Sequence, residues 1–178
     1  GETGRATWFV LLGYLAFVGI TLLSVQDIDF FSVESRTQLP IVGIAIPTMT
    51  FFLVAPILGA ALHVYLHLYL LKLWDALAEA PAAIGDAALA DRVLPWLVVD
   101  WGLRRRMDKA TRARPLDRLG NWVVAGLVWL AAPVVLGWFW WRSATAHDPW
   151  LTLVIAAAFA VSLYASFRGW RHARARLN

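Results

Sequence analysis

Two histidines, His63 and His67, stand four positions apart inside an uncharged run, 48–71. At i and i+4 their imidazoles share one helical face, about one turn apart. An ionisable side chain inside an apolar span is costly, so it tends to face a bundle interior and raises the question of function. Three chemistries come into view. A metal ion would find two nitrogens, but the nearest carboxylate, Asp75, lies eight positions beyond His67. No third ligand is evident at that depth, so neither a metal nor a cofactor is expected. Haem ligation needs histidines on facing helices or on matching sites of two protomers, and no other apolar run contains one. A proton relay needs acids within the span, and there are none. The preferred reading is structural. Neutral histidines hydrogen-bond backbone carbonyls or Tyr14, Tyr65 or Tyr69, and so help to specify packing.

Other polar groups point less sharply. Asp27, Asp29 and Glu34 follow the first apolar run and form a weak candidate site for a cation. A hard cation wants six or more oxygens, and three carboxylates beside Arg36 fall short of that. The neighbours His147 and Asp148 could orient an imidazole, but no nucleophile accompanies them. Arg104, Arg105, Arg106, Lys109, Arg112 and Arg114 form a basic run suited to anionic lipid headgroups. Asp108 and Asp117 interrupt the run and no aromatic residues interleave it, so nucleic acid is not expected. There is no Gly-rich phosphate loop, no HExxH and no GxSxG, and the sequence predicts no enzyme and no catalytic residue.

The elements that position these residues follow from composition. Hydrophobic residues make up 60% of the 178 and charged residues 16%; soluble domains typically have about 45–50% and about 25%. Apolar residues gather in four runs, 7–25, 48–71, 122–141 and 150–167, each long enough to cross a core of about 30 Å. Many of the 11 tryptophans stand at run ends and read as belt residues. Pro133 and Gly137 predict a kink in the third run. The stretch 26–47 reads as an extended or hairpin-like surface segment, and 73–80 as an extension of the second helix into water, stopped by Pro81. Residues 81–86 read as a turn. Residues 87–106 read as an aromatic-rich interfacial helix within the loop 72–121.

Of the 16 Lys and Arg residues, all but Arg36 and Arg142 flank the spans on one side. The positive-inside rule therefore puts both termini in the cytoplasm. With no cysteines, disulfides and thiolate chemistry are excluded. The first residues, 1–4, read as the trimmed edge of a longer protein.

The residues quoted above belong to a set of ordered landmarks. These are the D-x-D-F-F of 27–31, the Leu-Pro of 39–40, the H-x-Y-x-H-x-Y-x-x-x-L-W of 63–74, the Pro-Trp of 95–96 and the His-Asp-x-Trp of 147–150. Together they resemble the N-terminal membrane region of certain bacterial pentapeptide-repeat proteins, in which four membrane helices precede a soluble β-helix. This chain has no pentapeptide repeats, a departure that fits a truncated chain. The resemblance implies anchoring or signalling and carries over no catalytic residue.

The sequence thus predicts an all-α integral membrane domain of the bacterial inner membrane. Four transmembrane helices are expected, with an interfacial helix between the second and third. The expected role is a non-catalytic anchor or a sensory and scaffold module that presents a cytoplasmic partner domain. The alternatives are a small oligomeric pore or transport protein with His63 and His67 lining the path, or an accessory subunit of a larger membrane complex. Partners are the bilayer, its anionic headgroups, and a second copy or a larger complex.

Overall fold

The computed structural model describes residues 2–25, 36–39, 45–79, 83–84, 87–88 and 115–177. The chain is helical over most of this length. Helix α1 runs Glu2–Ser24, α2 Thr48–Glu79, α3 Pro115–Trp129, α4 Ala131–Ser143 and α5 Pro149–Leu177. Strands β1 (Arg36–Gln38) and β2 (Ala45–Pro47) pair antiparallel between α1 and α2, with Thr37 opposite Ile46. Strands β3 (Ala83–Ile84) and β4 (Ala87–Ala88) form a second, shorter antiparallel pair.

Three helices, α1, α2 and α5, are long and apolar enough to cross a membrane. The expected third span, 122–141, takes a different form. Its two segments, Trp122–Trp129 and Ala131–Ala146, are bent by 48°, with Leu130 at the break. The sequence signal was Pro133, and the bend falls on its N-terminal side. Proline lacks an N–H and its ring crowds the carbonyl four residues earlier, so the ladder opens upstream of it. For Pro133 that carbonyl belongs to Trp129. Gly137 does not bend the helix. It lets α4 approach α5, since a Cβ there would come within 3.2 Å of the Phe159 ring.

Helix α2 is the centre of the bundle and packs on α1, α4 and, most extensively, α5. Pro56 lies inside it without ending it. Close beside that proline, Tyr14 of α1 donates its hydroxyl to the Ala55 carbonyl at 2.8 Å. Gly59 makes room for the tyrosine, since a Cβ there would meet its ring at 3.4 Å.

The core divides along the bundle axis. At the hairpin end, Val18, Leu22, Phe51, Phe52, Phe139, Leu151 and Ile155 pack together. At the tail end, Trp8, Leu11, Leu66, Leu70, Trp74, Val128, Trp129 and Ala173 do so. Trp8 reads from sequence as an interfacial residue, yet it is buried together with Trp74 and Trp129. These indoles, one each from α1, α2 and α3, belong to one core cluster. Trp122, Trp141 and Trp150 are exposed, as belt residues are.

Polar contacts close the end of α1 and the start of α5. Arg142 donates to the Val25 carbonyl at 2.6 Å, which supplies a cation and a donor to the orphan carbonyls past the α1 C-terminus. The pair His147–Asp148 has a structural role. His147 takes a left-handed φ of 53°. Asp148 accepts from the backbone N–H groups of Trp150 at 3.0 Å and Leu151 at 3.2 Å. With Pro149 at the first helical position, this is an N-cap followed by an N1 proline.

One sequence expectation changes. The interfacial helix does not begin at residue 87, because Ala87–Ala88 is a strand; the remainder, 89–106, lies outside the described residues. Past the fourth apolar run the chain stays helical to Leu177. The segment 73–79 extends α2 as expected.

Candidate functional site

His63 and His67 project from α2 toward α5 of the same chain and are 0% and 4% exposed. Their rings lie 4.3 Å apart between centroids, tilted by 51°. Helix α5 carries a buried stripe of small side chains, Ala158, Ser162, Ser166, Gly169 and Ala173, one or nearly one turn apart, and meets the histidines with Ser166 and Gly169. Such a stripe lets two backbones approach closely, which is how apolar helices gain contact in the absence of a hydrophobic drive.

The expected tyrosine partners are not the ones used. Tyr14 bonds the Ala55 carbonyl, and Tyr65 is 53% exposed on the outer face of α2. Tyr69 is half-buried. His63 instead pairs through Nε2 with the Ser166 hydroxyl at 3.0 Å. Ser166 in turn donates to the Trp129 carbonyl at 2.6 Å. That carbonyl is the one Pro133 leaves without a helical donor. The bend between α3 and α4 and the histidine on α2 are therefore joined through one serine of α5.

The partners dictate the tautomers. A serine hydroxyl has one proton, and Ser166 gives it to a carbonyl, so it accepts the Nε2–H of His63. His67 lies with Nδ1 3.1 Å from the His63 carbonyl, and a carbonyl only accepts, so Nδ1 carries the proton there. Both rings are neutral in this arrangement, with opposite tautomers. Each retains one bare nitrogen, Nδ1 of His63 and Nε2 of His67, and neither is hydrogen-bonded among the described residues. A lone pair buried without a donor costs less than a stranded N–H, because no proton is left without an acceptor.

Gly169 holds the second ring in place. A Cβ at this position would stand 2.5 Å from Cδ2 of His67 and 3.2 Å from its Nε2. No side chain fits between His67 and the α5 backbone.

Asp75 is not a partner of the histidine pair. Its Oδ1 accepts from Nε2 of His172 at 2.9 Å and from Nε of Arg176 at 3.0 Å. This three-residue clasp ties the far ends of α2 and α5 together. Among the described residues no group of three or more His, Cys, Asp and Glu could hold a metal ion. A structural zinc site takes four ligands, and the pair supplies two nitrogens.

The other sequence candidates fall elsewhere. Asp27, Asp29 and Glu34, and the run Arg104, Arg105, Arg106, Lys109, Arg112 and Arg114, lie outside the described residues. Sequence reasoning missed Ser166, Gly169 and His172. The i, i+4 spacing of Ala158, Ser162 and Ser166 was the available signal, but spacing alone does not say which helix the stripe faces. Comparisons with protein-family models, with curated protein sequences and with solved structures find no match.

Proposed function

We propose that this chain is a four-span membrane domain that anchors or scaffolds a cytoplasmic partner domain and performs no catalysis itself. In this reading the bent pair α3–α4 forms the third span, and both termini lie in the cytoplasm of a bacterial inner membrane. The connection between α2 and α3 is then cytoplasmic, and its basic residues Arg104 to Arg114 have the charge that suits anionic headgroups. The resemblance to pentapeptide-repeat membrane regions supports a partner domain following Asn178.

One observation carries the reading. The residues best suited to chemistry are committed to joining helices, in a chain from His63 to Ser166 to the Trp129 carbonyl. Interhelical hydrogen bonds of this kind specify packing. A pore formed between protomers is less favoured, because both imidazoles are buried against α5 of their own chain.

Reporter fusion and flux measurement test this. A cytoplasmic reporter joined after Asn178 should be active and inaccessible from outside the cell; an external reporter overturns the topology. Liposomes containing the protein should show the same negligible ion flux with wild type and with His63→Ala. A flux that the substitution abolishes would establish the pore instead.

A further inference from the structure

Helix α5 is 29 residues long, about 43 Å at about 1.5 Å per residue, and outlasts a hydrocarbon core of about 30 Å. Its first turn carries Trp150, 69% exposed, in the place of an interfacial anchor. From Trp150, Arg168 lies about 27 Å along the axis and Arg174 about 36 Å. The last turns of α5 therefore cross the opposite headgroup layer.

In those turns three arginines each follow an aromatic residue by four positions. Arg168 Nη1 reaches the Tyr164 hydroxyl at 3.5 Å. The Arg171 guanidinium carbon sits 5.5 Å from the Phe167 ring centre, and that of Arg174 sits 4.6 Å from the ring of Trp170. All three rings and all three arginines are exposed. Along the backbone each aromatic residue is about one turn nearer the membrane core than its arginine, and the three arginines span about 120° of the helix surface. That surface lies away from Ser166, Gly169 and Ala173, which face α2.

Among the described residues no carboxylate neutralises the charge of these arginines. Arg176 and His172 share Asp75, whereas Arg168, Arg171 and Arg174 have no carboxylate partner among the described residues. The guanidiniums of Arg171 and Arg174, stacked on rings, keep their N–H edges free, and Arg168 spends one of its five donors on the Tyr164 hydroxyl; each planar fork still matches a phosphate. The ring beneath sits where an acyl chain meets the headgroup, the depth aromatic side chains favour. We infer that the end of α5 is a binding surface for anionic phospholipid, with the phosphates on Arg168, Arg171 and Arg174 and the upper acyl chain on Tyr164, Phe167 and Trp170. This rests on the reading of α5 as a membrane span.

The test uses the full chain in nanodiscs of phosphatidylcholine with a minority of phosphatidylglycerol, with lipid retained on the released protein counted by native mass spectrometry. Wild type should retain phosphatidylglycerol in preference to phosphatidylcholine. R168Q/R171Q/R174Q should lose that preference, at roughly fivefold in affinity per arginine removed. R171Q alone should lose part of it, and F167A/W170A should weaken retention of both lipids. Unchanged selectivity in the triple variant, with helicity intact by circular dichroism, overturns the inference. So does equal displacement by inorganic phosphate or by a single-stranded oligonucleotide, which would mean a free-phosphate or nucleic-acid surface. Release of the protein from membranes by alkaline carbonate would instead overturn the membrane reading itself.

Discussion

The two ends of the bundle are held together by different chemistry. At the hairpin end the core closes on phenyl rings, with Phe52 and Phe139 edge to face at 5.5 Å and Phe51 beside both. At the tail end three buried indoles, two histidines and two serines occupy the same kind of space. Phenyl rings need only shape, and edge-to-face contact adds a modest directional preference. Imidazoles and hydroxyls must also find partners, so their positions are dictated by which carbonyls lack donors. The tail end is thus specified more tightly, and a backbone defect, the carbonyl freed by Pro133, is what it is built around.

This contrast can be broken at several points, each read by thermal or denaturant unfolding of the purified protein. Trp74 is 0% exposed and about 39 Å along α2, which in the proposed four-span reading is past the bilayer core; water is then the alternative environment, and Trp74→Ala should destabilise by about 3–5 kcal/mol. Phe139 is equally buried, but lipid is as apolar as its pocket, leaving mainly the cavity term, so Phe139→Ala should lose only about 2 kcal/mol. Equal losses at the two sites would show that the ends are solvated alike. Gly169→Ala puts a methyl group against His67 and should destabilise by about 1–3 kcal/mol. His67→Ala/Gly169→Ala should recover most of that loss. Strict additivity of the two changes would mean that His67 and Gly169 are not in contact.

Two smaller effects sharpen the picture. Asp148→Ala removes the α5 N-cap at the hairpin end and should weaken the fold by about 1 kcal/mol, with Asp148→Ser retaining most of the stability. Ser166→Ala should have the smallest effect, about 0.6 kcal/mol, typical of interhelical hydrogen bonds in a bilayer. In Ser166→Ala the loss should shrink further once His63→Ala is added, since both belong to one chain of bonds. An undiminished loss from Ser166→Ala in the His63→Ala background would separate them.

The apolar runs were legible because span length is set by bilayer thickness, and α1 and α2 begin close to where the runs do. The polar pieces were less so. His147–Asp148–Pro149 invites a chemical reading, yet its order is that of a left-handed residue, an N-cap and an N1 proline. Pro133 announced a bend, but its position at Leu130 follows from proline acting on the carbonyl four residues upstream. Gly169 carries no local signal in the sequence; α5 runs through it, and its missing side chain leaves room for His67.

What the amino-acid sequence determined by itself is the set of long apolar helices, the extension of α2 past its apolar run, and the shared face of His63 and His67. These depend on local composition and on the 3.6-residue period, which need no partner. Only the tertiary structure decided that this face meets the small side chains of α5, that Ser166 completes the hydrogen bonding that Pro133 breaks, and that Asp75 serves His172 and Arg176. Each of these joins positions far apart in the chain. Their pairing is selected by which helices can approach closely and which buried donors and acceptors must be matched, and no local pattern encodes that choice.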